Sequence, residues 1–240
     1  MAATKRIARN PRTLTSAEKR EIRERLSRPV GRYDAERASQ LSGIPERTVR
    51  FWGETGVVVP DYAKGAPMHW SYRDLVFLRL AAWLRSKKME PKWVGARIAA
   101  VREWLEDPKS NLELVRSQGK SMVVGDEALD RVSGELLIPE VITFISDWDL
   151  FASLPETHRQ HLWGPHLLRP TSRIQIIPWV MAGEPCIEST RVPTSTIFAL
   201  HNNRGLNAPR IAHLYPDLTE ESILEAIDLE GKLRRLPAAA

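Results

Sequence analysis

At 240 residues with 42% apolar side chains, the chain is long enough to build one large or two smaller cores, and its single cysteine, Cys186, excludes an intramolecular disulfide and a thiolate-rich zinc site within one chain. The formal net charge of +5 is unevenly placed: residues 1–107 hold 22 Lys/Arg against 13 Asp/Glu, whereas residues 108–240 hold 13 against 17. A basic front and an acidic rear imply that the front meets a polyanion and the rear meets something else. No run has the apolar length of a membrane span, and the arginine-rich start lacks the apolar core of a secretory signal, so a cytoplasmic protein without a membrane partner is expected.

Residues 1–29 read as a basic arm followed by a helix. Thr15-Ser16-Ala17-Glu18 is a capping box, and the apolar side that follows is thin, consisting of Leu14, Ile22 and Leu26. Such a helix grips a DNA backbone, braces a dimer or packs as a solvated helix on its neighbour. The stretch Tyr33 to Trp52 speaks more clearly. A helix over Asp34–Gln40 opens on a capping aspartate, places Ala35, Ala38 and Leu41 on one apolar stripe and ends at Gly43. Ile44 anchors the turn, and Pro45 is expected to start a second helix that runs to about Trp52. Val49 and Trp52 face inward there, and Glu46, Arg47, Thr48 and Arg50 are left outside. Two helices across a glycine turn, the second exposing arginines, form the helix-turn-helix layout, whose second helix fits a DNA major groove.

Gly53–Val59 is expected to leave this helix and enter a short β-branched strand. Pro60–Pro67 is a loop carrying Lys64, and His69–Tyr72 returns as the second strand before a helix at Asp74. Together these make a wing. Residues 32–106 resemble the MerR-type winged helix-turn-helix family, through Tyr33, Ala38, Gly43, Ile44, Arg47 to Trp52, Gly56, Pro60, Tyr72, Asp74 and Leu75. Two more helices are expected, Asp74–Lys88 with Leu75, Leu78, Ala82 and Trp83 on one face, and one from Pro91 to about Glu106 with Trp93, Val94, Ile98, Val101, Trp104 and Leu105 at helical spacing as a packing stripe. The chain then departs from the family pattern, because Asp107-Pro108 stops the helix and no dimerising heptads follow.

Residues 108–170 read as a β-containing middle segment, with Ser121–Val124 and Leu136–Phe144 strand-like. His158, His161 and His166, with Asp149, are the one group resembling a ligand set. Pro155, Gly164 and Pro165 instead suggest an exposed connector, so no metal and no cofactor are expected.

In residues 171–236 a strand over Arg173–Val180 precedes helices at about Pro193–Asn203, Pro209–Tyr215 and Thr219–Arg235. Ile197, Leu200, Ile211, Leu214, Ile223, Ala226 and Ile227 are expected inside this bundle. The stretch resembles the small "domain of unknown function" of VapB-type antitoxins through Gly183-Glu184-Pro185, Ile187, Ser189 to Pro193, Gly205, Ile211-Ala212, Tyr215 to Thr219 and Ala226-Ile227. Ser189 stands where that family's motif has glycine. Arg191 pairs with a carboxylate of its own domain or is offered to an acidic partner, and Arg210, Lys232, Arg234 and Arg235 pose the same choice.

The expected fold class is therefore mainly α with small β elements: a winged helix-turn-helix over 30–107, a β-containing connector over 108–170 and a three-helix bundle over 171–236. The two resemblances imply a non-enzymatic antitoxin that binds operator DNA and neutralises a PIN-like ribonuclease toxin, as a homodimer or a toxin–antitoxin hetero-oligomer. Arg47, Thr48 and Arg50 would enter the groove, with Arg32, Lys64 and His69 near phosphates; Arg191, Arg210, Lys232, Arg234 and Arg235 would face the toxin. The alternative is a ligand-responsive MerR-like transcription regulator without a toxin. A third reading makes the C-terminal bundle itself a second DNA reader.

Overall fold

The computed structural model describes residues 20, 24–63, 67–86, 90–106, 116–118, 121–123 and 164–235. The chain is mainly α-helical, and its described residues include two small antiparallel sheets of two strands each.

Helix α1, Ala35–Ser42, begins where the Asp34 side chain accepts from the Arg37 backbone N–H at 2.7 Å, and ends at Gly43 in the left-handed region with φ of 75°. Helix α2, Glu46–Glu54, follows with Val49 and Trp52 buried. Pro45 is extended, at φ −52° and ψ 135°, so it precedes the first helical residue rather than being it. Two helices across a glycine turn are thus formed where the spacing predicts them. The wing is not a pair of strands. Val57 and Val58 are both buried, and two consecutive inward side chains do not fit the alternation of a strand. Trp70 pairs with Tyr33 instead, through reciprocal backbone bonds of 2.8 Å. A bridge of Tyr62 with His69 closes the loop, and Lys64 lies outside the described residues.

Helix α3, Tyr72–Ser86, opens on a reciprocal cap: Ser71 Oγ accepts from the Asp74 N–H, and Asp74 Oδ2 accepts from the Ser71 N–H. Instead of one apolar stripe it buries Leu75, Val76, Phe77, Leu78, Leu80, Ala81, Ala82 and Leu84, so it is enclosed on all sides. Helix α1 covers one face, α4 (Pro91–Glu106) another, and the backbone of residues 165–167 a third. Trp93 on α4 is 41% exposed and does not join this core as expected.

Strands β1 (Arg116–Gln118) and β2 (Ser121–Val123) pair in register Ser117 with Met122, and β2 falls within the stretch expected to be a strand. Leu136–Phe144, Asp149, His158 and His161 lie outside the described residues. Gly164 and Pro165, expected in an exposed connector, are buried against the α1–α2 turn.

In the tail, β3 (Ile174–Gln175) pairs with β4 (Cys186–Ile187), much shorter than the strand expected over 173–180 because Pro178 begins a turn. Ser189 adopts φ of 62°, so it keeps the glycine-like backbone of the motif it interrupts. Helices α5 (Thr194–Arg204), α6 (Ala208–Leu214) and α7 (Glu220–Arg234) follow, with α6 capped by Asn207 and α7 by Thr219. Ile197, Ile211, Ile223 and Ala226 fill the bundle as expected, whereas Leu214 is 57% exposed. Helix α7 packs on α5 and α6 and also on α1, which joins the bundle to the helix-turn-helix.

Candidate nucleic-acid interface

The rear of the helix-turn-helix is fastened to the tail by buried polar contacts. Arg79, fully buried on α3, donates to the carbonyls of Leu41 (2.8 Å), Ser42 (3.1 Å) and Pro165 (2.6 Å). The first two lie at the C-terminal end of α1, where carbonyls lack helical partners and favour a cation. Burial pushes this guanidinium well below its ordinary pKa. Gly164 makes the close approach possible, since a Cβ there would stand 2.9 Å from Arg79 Nη2 and 3.1 Å from the Ser42 carbonyl oxygen. Tyr33 Oη donates to the Gly183 carbonyl at 2.7 Å and Tyr72 Oη to that of Leu167 at 2.9 Å.

Arg37 is the centre of this seam. It meets Glu184 through Nη2 at 2.7 Å and Nε at 3.0 Å, and Glu230 through Nη2 at 2.7 Å and Nη1 at 3.1 Å; Thr194 Oγ1 adds a 2.6 Å bond to Glu230. Burial alone pushes the Glu230 carboxyl up, but Arg37, Thr194 and Arg234 outweigh it and hold it below the usual carboxylate value. Burial works against the Arg37 charge too, and the two glutamates overcome it, so its pKa is raised.

Under the wing a second network sets the loop that follows α2. Arg73 meets both oxygens of Asp61 at 2.7 Å, and Arg102 reaches from α4 to Asp61 at 2.5 Å and to Asp74 at 2.8 Å. Asp74 is fully buried beside Asp61, and burial followed by that neighbouring charge raises its pKa to about 6. Asp61 goes the other way: burial pushes it up, but bonds from Arg73 and Ser71 and the charge of Arg102 bring it below its ordinary value.

What this frame presents outward is one face of α2. At about 100° per residue, the positions opposite buried Val49 and Trp52 are Arg47 and Glu54, with Arg50 on one flank and Phe51, then Thr48, on the other. Arg47, Arg50, Phe51 and Glu54 are exposed and Thr48 is half-buried. Arg50 is engaged by Glu46 one turn earlier, through Nε at 2.9 Å and Nη2 at 2.5 Å, while Arg47 makes no side-chain hydrogen bond or ion pair among the described residues. Arg32 is exposed and stacks over the Tyr62 ring at 5.8 Å; His69 is half-buried across the bridge from Tyr62. The sequence pattern singled out the arginines and passed over Phe51, although its position one turn from Arg47 already placed it on the outer face.

The five tail residues expected to meet a partner are not gathered into one cluster. Arg191 lies in the loop before α5, Arg210 in the first turn of α6, and Lys232, Arg234 and Arg235 at the end of α7. Arg191 and Arg210 are exposed, and neither side chain makes an ion pair among the described residues. Lys232 and Arg234 are used within their own bundle: Lys232 meets Asp228 at 2.7 Å, and Arg234 lies 3.5 Å from Glu230 and over the Phe198 ring. Each of these two pairs with an acidic residue four positions earlier on the same helix, and both side chains remain exposed.

Residues 174–228 match the model of a family described as protein of unknown function, DUF433. The match begins at β3 and takes in α5, α6 and most of α7, leaving the helix-turn-helix outside it. Neither the curated proteins nor the solved structures contain a match to this chain. Among the described residues no helix is long and apolar enough to cross a membrane, and no group of three or more His, Cys, Asp or Glu could hold a metal ion.

Proposed function

We propose that the chain is a DNA-binding antitoxin: the helix-turn-helix binds operator DNA, and the tail binds and neutralises a PIN-like, metal-dependent ribonuclease. The observation that carries the DNA half is the outward face of α2, where Arg47, Arg50 and Phe51 stand exposed on a helix whose other side is locked into the core. In that arrangement α2 enters the major groove with Arg47 and Arg50 toward guanine edges, and Arg32 and His69 lie toward phosphates. Glu46 holds Arg50 in one rotamer before DNA arrives and must share it afterwards. The antitoxin half rests on the resemblance to VapB-type antitoxins and on the tail's family match, a family also found in antitoxin-like proteins. The exposed Arg191, Arg210, Lys232, Arg234 and Arg235 are the cations offered to a nuclease whose metal site is lined with carboxylates, with Lys232 and Arg234 shared with acidic residues of their own helix.

A role for the bundle as a second DNA reader is disfavoured, because α7, its last and longest helix, exposes Glu220, Glu221 and Asp228. Co-expression with the protein encoded by the adjacent reading frame tests the antitoxin half. A stable complex that suppresses that protein's ribonuclease activity is expected; a chain that purifies alone, leaves the nuclease active and binds a small molecule would favour the MerR-like regulator instead.

A further inference from the structure

We propose that Phe51 is a base-reading residue that recognises the C5-methyl group of a thymine in the major groove. The inference rests on the DNA-binding reading above and deepens it. Phe51 is 55% exposed on α2, one turn beyond Arg47, while the apolar needs of that helix are already met by Val49 and Trp52. Its backbone is fixed, since the Phe51 carbonyl accepts both the Thr55 N–H at 2.9 Å and Thr55 Oγ1 at 2.6 Å. The ring therefore leaves the helix from a set position. A phenyl ring has no hydrogen bond to offer a phosphate or a polar base edge. The apolar feature of the major groove is the thymine methyl, and contact with it removes ring and methyl from water together.

Spacing makes the prediction local. Four residues of helix separate Arg47 from Phe51 by about 6 Å along the axis, against 3.4 Å per base step, so the two side chains address positions within about two base pairs of each other. A guanine read by Arg47 with a thymine close beside it is the expected element of the site. Phe51 faces away from the ion-paired Arg50 flank, so the methyl contact does not disturb the Glu46–Arg50 bridge.

The test uses the full-length chain and duplexes that it enriches from a randomised DNA pool. Each thymine is replaced in turn by deoxyuridine, which removes the methyl and nothing else. One position should lose affinity roughly four-fold, the worth of one buried methyl group, and it should lie within about two base pairs of the guanine at which Arg47→Ala loses discrimination. Phe51→Ala should bind thymine and deoxyuridine alike at that position, and Phe51→Leu should keep part of the preference. Because Phe51 is exposed, unchanged thermal unfolding of both variants is expected and separates this loss from misfolding. Equal binding of thymine and deoxyuridine duplexes by the wild type at every position overturns the inference, as does an unchanged ratio in Phe51→Ala. If a site is enriched and Arg47→Ala weakens it while every thymine-to-deoxyuridine ratio stays at one, the methyl contact alone is wrong. If the wild type enriches no sequence, the DNA reading fails and the inference with it. A Phe51→Ala variant that keeps its methyl preference but loses a protein partner assigns the ring to protein binding instead.

Discussion

The seam between the helix-turn-helix and the tail, and the outward face of α2, are built with the same side chain to opposite ends. At the seam and under the wing, Arg37, Arg73, Arg79 and Arg102 are largely withdrawn from water and hold carboxylates or carbonyls. On α2 and the tail surface, Arg47, Arg191 and Arg210 are exposed and hold nothing among the described residues. A buried guanidinium fixes geometry because removing its partners is severe, whereas an exposed one contributes little to stability and stays available to a ligand. Among the described residues, the arginines of the front thus fall into two groups, withdrawn ones such as Arg37 and Arg79 and exposed ones such as Arg32, Arg47 and Arg50, and the exposed group is the one open to a polyanion.

The sharpest way to break the comparison is at Arg37. Arg37→Ala leaves Glu230 and Glu184 facing each other with the former fully buried, and a loss of about 3–5 kcal/mol is expected by chemical denaturation. Gly183→Ala should follow in size. Gly183 has φ of 85°, and an added Cβ would fall 2.1 Å from Tyr33 Oη, so the seam must open there; a loss of about 3 kcal/mol, combining overpacking with left-handed strain, is expected. An outcome below about 1 kcal/mol in either variant would mean that the seam does not hold the helix-turn-helix in place.

A pH series sharpens the same contrast. Glu230 has a folded pKa below its unfolded value of about 4.3, so its contribution is fully present above that pH and is lost as the pH falls through the lower folded value. The stability difference between the wild type and Glu230→Gln should therefore be constant from pH 7 to about 5 and shrink below about 4. A difference that does not change with pH would show that the ionised carboxylate is not what Arg37 needs.

How much of this was legible in the sequence follows from what each signal reports. Caps and periodicity were local, so Asp34, Gly43 and Thr219 marked helix ends that the structure has. The inward positions Val49, Ile197, Ile211 and Ile223 were legible for the same reason. The wing strand failed because Val57 and Val58 are claimed by the core rather than by a strand partner. The buried Gly164 and Pro165 failed because a turn-like composition cannot reveal that another part of the chain will cover it. The all-round burial of α3 was readable in principle from its near-continuous apolar run, Leu75 to Leu80 being interrupted by Arg79 alone, which is buried too. In the candidate interface, residue type pointed to Arg47 and Arg50, but no pattern in one sequence distinguishes these from the arginines of the seam, and Phe51 was hidden by its apolar character.

The smallest expected effect on stability accompanies the largest on binding. Arg47→Glu with Arg50→Glu removes two exposed cations and one surface ion pair, so unfolding should shift by less than about 1 kcal/mol. The measurement that tests the central claim is the affinity of this double variant and of the wild type for the same enriched duplex across a salt series. The account predicts wild-type binding that weakens steeply with salt and is lost, by roughly a hundred-fold or more, in a variant that melts like the wild type. Equal affinity and equal salt dependence in the two proteins would contradict it.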